Sequence, residues 1–179
     1  MTQVGSVYGE ALYELACGEN QQDEILEQLK ALNESFRENP EFIRLLCSHA
    51  ISKQERCKVL DDSFRGKIHQ YVLNFLKILT EKGYMHHFSH CCEAYTRLYN
   101  EDNNILSVRA VTAVSLTEPQ FQALTQKLTR MTGKTILLAN RVDPTCLGGV
   151  RLDYDGQRLD DTISHRLDSV RELLKNTVL

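Results

Sequence analysis

The chain has 179 residues, of which 42% are hydrophobic and 25% charged, and its net charge at neutral pH is −3. That is enough apolar material to bury a core in one large domain or two small ones. It gives no electrostatic basis for binding nucleic acid, which needs a basic surface, and no apolar run approaches the roughly 20 residues that cross a bilayer.

The opening residues Met1 to Glu10 lack the charged-then-apolar layout of a secretory signal, so a cytosolic origin is expected, with any membrane link supplied by a partner. Cys17, Cys47, Cys57, Cys91, Cys92 and Cys146 form no CxxC pair, and two of them are adjacent. That is a poor disulfide framework, and the cysteines read as small buried hydrophobes in a reducing compartment.

In chain order, the first stretch is helical. Val4, Val7, Tyr8, Ala11, Leu12 and Leu15 recur at three- and four-residue steps. A second helix carries Ile25, Leu29, Leu32 and Phe36, and Asn39-Pro40 stops it. A short third helix holds Phe42, Leu45 and Leu46. Ser52 with Glu55 predicts a capping box for a fourth helix running to about Phe64, which Gly66 breaks. The fifth is the most apolar, with Ile68, Tyr71, Val72, Phe75, Leu76 and Leu79, and Lys82-Gly83 ends it. The sixth carries Phe88, Cys91, Tyr95, Leu98 and Tyr99. Short connections between amphipathic helices imply a bundle.

Near Asn103-Asn104 the period changes. Leu106, Val108, Ala110, Thr112 and Val114 alternate as in a strand. Thr117, Pro119 and Gln120 open a helix whose core face is Phe121, Leu124, Leu128 and Met131, and Gly133 closes it. Thr135 to Val142 is a second strand, Asp143-Pro144 a turn, and Val150, Leu152 and Tyr154 belong to a third strand. Asp155-Gly156 is a tight turn before a last helix with Ile163, Leu167, Val170 and Leu174. The expected fold is therefore a two-domain α+β chain: a six-helix bundle over residues 1–104, then a small β-α-β-β-α domain over 105–179.

Candidate sites for chemistry are sparse. In His86-His87-Phe88-Ser89-His90-Cys91-Cys92, a helix would stack His86 over His90 and His87 over Cys91, but each pair supplies only two ligands. Gly148-Gly149 precedes a strand without the GxxxxGK[ST] or GxGxxG pattern that sets amides around a phosphate, so it reads as a glycine bend. Asp153, Asp155, Asp160 and Asp161 do not follow calcium-loop spacing. No GxSxG elbow is present, and no enzyme activity, metal or cofactor is expected. The broad apolar face of the fifth helix, beside the first, leaves room for a groove that takes a partner's amphipathic helix. On these residues alone the chain could equally be a generic helix-binding adaptor.

Five ordered motifs carry a resemblance. Tyr8-Gly9-Glu10-Ala11-Leu12-Tyr13-Glu14-Leu15-Ala16 is the first, with Gly9 where alanine is usual. Asn39-Pro40-Glu41-Phe42 with Leu45-Leu46, Ile51 and Lys53 is the second. Asn74-Phe75-Leu76, Leu79 and Lys82-Gly83 form the third, before a Tyr84 that stands where arginine is frequent. Thr132-Gly133-Lys134 followed by Val142-Asp143-Pro144-Thr145-Cys146-Leu147-Gly148-Gly149-Val150 is the fourth. Asp160-Asp161-Thr162 with Arg166-Leu167 is the last, its Thr162 standing where serine is common. End to end, the chain resembles the delta subunit of F-type ATP synthases, related to the mitochondrial oligomycin-sensitivity-conferring protein. The resemblance implies a non-catalytic stator subunit at the cytoplasmic face of a bacterial plasma membrane, attached only through the complex. Its bundle would bind the N-terminal helix of an alpha subunit through Tyr8, Ala11, Leu12 and Leu15 with Val72, Phe75, Leu76 and Leu79. Its second domain would engage the peripheral-stalk b subunits, and together they would resist rotor torque during proton-driven ATP synthesis.

Overall fold

The computed structural model describes residues 3–48, 50–154 and 156–163. The chain divides into two compact units, Met1–Tyr99 and Asn100–Leu179.

The first unit is helical: α1 (Gln3–Gly18), α2 (Gln22–Glu38), α3 (Pro40–Cys47), α4 (Lys53–Phe64), α5 (Gln70–Lys82), a 3-10 turn at Met85–His87, and α6 (Phe88–Asp102), whose last residues run into the second unit. Local chemistry sets the boundaries. Pro40 opens α3 and leaves Asn39 at φ −120°, which separates α2 from α3. The capping box is formed, with Ser52 N–H donating to Glu55 Oε2 at 3.1 Å and Glu55 N–H donating to Ser52 Oγ at 3.2 Å. The fifth helix starts later than its apolar residues suggest, because His69 caps it by accepting from Tyr71 N–H at 3.3 Å, which leaves Ile68 outside. Gly83 ends it at φ 76°.

One core draws on all six helices, including Leu12, Ala16, Ile25, Leu29, Phe36, Leu46, Leu60, Val72, Leu76, Leu79 and Tyr95. Burying each leucine contributes about 1.5–3 kcal/mol. Arg56 is buried as well, and its Nη1 donates at 2.7 Å to the Leu46 carbonyl, one of the orphan acceptors at the end of α3. Gly9 brings α1 close to α6: a Cβ there would lie 2.5 Å from the Cys91 carbonyl oxygen and 2.7 Å from Ala94 Cβ.

The second unit contains β1 (Ile105–Thr112), α7 (Glu118–Thr132), β2 (Thr135–Val142), a 3-10 turn at Pro144–Cys146, β3 (Val150–Tyr154) and β4 (Gln157–Asp160). The sheet order is β2-β1-β3-β4. β1 and β2 run parallel on either side of α7, while β3 and β4 pair antiparallel. Leu106, Val108, Ala110, Ile136 and Leu152 form its core, with Leu124 and Leu128 of α7 packed against them.

Four expectations change here. The segment after Gly156 is a strand, so over the described residues the order is β-α-β-β-β, and the proposed last helix, apart from Ile163, lies outside them. Val114 lies beyond β1 and is 75% exposed, and Met131 is 73% exposed instead of in the core. No residue of α7 is fully buried. Cys91, Cys92 and Cys146 are buried as expected, whereas Cys17, Cys47 and Cys57 are only partly so.

Candidate helix-docking groove and local polar clusters

Two side-chain contacts place α1 and α5 side by side and antiparallel. At one end the Tyr8 and Tyr84 rings meet edge-on at 6.0 Å. At the other, Tyr71 OH donates to Glu19 Oε1 at 3.3 Å. Tyr8 lies in the first half of α1 and Glu19 just after its end, while Tyr71 lies in the first turn of α5 and Tyr84 follows its end.

The eight residues implied as a helix-binding face fall into two groups. Leu12, Val72, Phe75, Leu76 and Leu79 are core residues, between 0% and 6% exposed. Helix α5 needs its wide apolar arc inside the fold, since α2, α4 and the 3-10 turn at Met85–His87 all pack on it. The other three face outward: Leu15 is 57% exposed, Ala11 is exposed and Tyr8 half-buried. With the half-buried Val4 they follow four-, three- and four-residue steps, one flank of a helix. On α5, Tyr71 and Ile78 lie two turns apart on the side that reaches Glu19, and Ile78 is 45% exposed. Sequence reasoning passed over Ile78 because it sits beside the dominant stripe. The available signal was an apolar residue out of phase with the core face.

The histidine segment is arranged differently from a continuous helix. His86 and His87 sit in the 3-10 turn, with ring centroids 3.9 Å apart, and His90 on α6 lies 6.1 Å from His87. Desolvation, then the neighbouring His86 and His90 charges, hold His87 below the ordinary imidazole range. Among the described residues no group of three or more His, Cys, Asp or Glu side chains is placed to hold a metal ion. Burial pushes the Cys91 thiol up to about 11 and raises the Cys92 thiol as well, so neither is a ready thiolate.

The glycines and acids of the sheet unit have local duties. Gly149, at φ 82°, packs on the backbone: a Cβ there would lie 2.5 Å from the Asp161 carbonyl oxygen. Asp160 Oδ1 accepts from Thr162 N–H at 3.0 Å and from Thr162 Oγ1 at 2.7 Å. Asp153 pairs with Arg158 at 3.1 Å and Arg151 at 3.5 Å. Asp155 lies outside the described residues. Leu147 holds a left-handed φ of 59° while 66% exposed, and the 49% exposed Ile163 donates its N–H to the adjacent Gly148 carbonyl at 3.1 Å.

The helical unit leaves an apolar flank of α1 exposed at Ala11 and Leu15, and a small mixed-sheet unit follows it in the chain. Residues 4–174 match the family model of the ATP synthase delta (OSCP) subunit, and the chain belongs to that family. It is a structural subunit of the ATP synthase peripheral stalk and not a catalytic one. It is similar to the ATP synthase subunit delta of Lactobacillus gasseri, 34% identical over 173 residues, which are 96% of this chain and 94% of that protein. The ATP synthase subunit delta of Alkaliphilus oremlandii is 31% identical over 176 residues, 98% of each chain. Among solved structures, a chain of the Toxoplasma gondii mitochondrial ATP synthase hexamer shares the fold with a TM-score of 0.79 at 21% identity, covering 97% of this chain and 98% of that one. No helix among the described residues is long and apolar enough to cross a membrane.

Proposed function

We propose that this subunit is the mechanical joint of the stator. In this reading its helical unit docks the N-terminal helix of an alpha subunit in the groove between α1 and α5, and its sheet unit engages the C-terminal ends of the b subunits. The joint lies on the cytoplasmic face of a bacterial plasma membrane and keeps the catalytic head from turning with the rotor during proton-driven ATP synthesis. The groove residues are Val4, Tyr8, Ala11 and Leu15 of α1 with Tyr71 and Ile78 of α5, while Leu12, Val72, Phe75, Leu76 and Leu79 shape the groove from beneath.

The observation that carries this reading is the exposed apolar flank on α1, matched by Ile78 at 45% exposure across the groove. A joint under torque needs desolvated apolar anchors, since exposed ion pairs contribute little. On the stalk side, support comes from Leu147. A leucine in the left-handed region costs about 1–2 kcal/mol, and such strain concentrates at functional positions.

The test is calorimetric titration of the full-length chain with a synthetic peptide of the alpha-subunit N-terminal helix. Saturable heat is expected, and Leu15→Asp or Ile78→Asp should weaken binding at least about tenfold. Absence of heat with the unaltered chain would overturn the docking reading.

A further inference from the structure

We infer that the break between α2 and α3 forms a second docking pocket, distinct from the α1–α5 groove, for one apolar or aromatic side chain of a basic segment of another synthase subunit. The family membership is assumed; the groove reading is not. The pocket exists because Asn39-Pro40 parts two helices that would otherwise be continuous. An open cavity of about 720 Å³ remains there, with Phe36, Phe42, Leu45 and Phe64 among its lining.

Its floor is a preassembled aromatic cluster. Phe36 is buried and stacks on Phe42 with centroids 5.7 Å apart and planes at 24°. Phe64 meets both edge-on, at 6.2 Å from Phe36 and 6.0 Å from Phe42. Leu45 stands at the mouth, 37% exposed. These rings are fixed by their contacts with one another and with Phe88 behind Phe36. An incoming side chain would therefore bury apolar surface at little ordering cost.

The charge around the mouth selects the partner. Glu38 and Glu41 line it, both are exposed, and among the described residues neither is held in an ion pair. Among the described residues no lysine or arginine lines the cavity. Of the cations next along the chain to its lining, Arg65 is paired with Asp61 at 3.2 Å, and Arg37 and Arg44 are exposed. An apolar cup under two unpaired carboxylates is complementary to a hydrophobic residue flanked by lysine or arginine, and the pairing sets orientation and encounter rate more than affinity. An arginine in that position would also stack on the phenyl faces.

The experiment is photo-crosslinking in the assembled synthase. A benzoylphenylalanine replaces Leu45 in one preparation and Leu15 in another, and the captured peptides are identified by mass spectrometry. The expected product at position 45 is a synthase segment with lysine or arginine beside the captured apolar residue. Glu38→Lys combined with Glu41→Lys, both at exposed positions, should cut that yield about tenfold at low salt, with the difference shrinking as salt rises. A product at position 15 but none at 45 would overturn the pocket and leave the groove reading standing. Capture of an acidic segment, capture of a second copy of this chain, or a yield indifferent to the charge reversal would each overturn it too.

Discussion

At Gly9 two opposing effects can be compared. Glycine inside a helix is worse than alanine by about 1 kcal/mol, so Gly9→Ala would stabilise α1 if the site were open. It is not open, since the added Cβ would sit 2.5 Å from the Cys91 carbonyl oxygen, a backbone atom that α6 cannot move cheaply. Overpacking of this kind costs about 1–3 kcal/mol. The clash is therefore expected to win, and Gly9→Ala should lower the urea midpoint of the full chain. The departure from the alanine usual at this motif position has a packing cause in this chain. His87 allows a test with pH. Its folded pKa is depressed below the usual 6.5, so below that pH the unfolded chain binds more protons and stability falls with pH. Stability should be full above about pH 6.5 and lost progressively as pH falls toward the depressed value. His87→Gln should lose less stability than the unaltered chain when urea midpoints are compared between about pH 7.5 and pH 5.

Among the elements, α4 depends most plainly on its cap. Its face is weakly apolar, with Leu60 and Arg56 as its buried residues. The Ser52–Glu55 box therefore carries an unusual share of where the helix begins. Ser52→Ala should cost about 1 kcal/mol, measured by chemical denaturation, with exchange of the amides of Glu55 and Arg56 accelerated before those of α5. The caps of α4 and α7 and the glycine stop of α5 were legible in the sequence because they are local chemistry over three or four residues. The fourth strand was not. Gln157 to Asp160 shows little β-branched character, and it is a strand because β3 offers an unpaired edge, as in the pairing of Leu152 with Leu159. Met131 was misplaced for a related reason: periodicity marks the apolar side of α7 but not how much sheet lies beneath it.

For the molecule as a whole, the groove and the core give opposite responses to substitution. Leu15→Asp should leave the thermal midpoint nearly unchanged while weakening the alpha-helix peptide, because Leu15 is 57% exposed. Phe75→Ala, at a residue 6% exposed, should cost about 3–5 kcal/mol and lose binding only as the unit unfolds. Parallel loss of stability in both variants would mean that Leu15 also serves the core. By itself the sequence determined the kinds of element, most of their ends, the change from helical to mixed architecture and, through ordered motifs, the family. Those features follow from periodicity and capping, which act over a turn or two of chain. Only the tertiary structure separated Tyr8, Ala11 and Leu15 from Leu12, Val72, Phe75, Leu76 and Leu79. An apolar residue is core or contact surface according to how many neighbouring elements cover it, and that number belongs to the assembled fold.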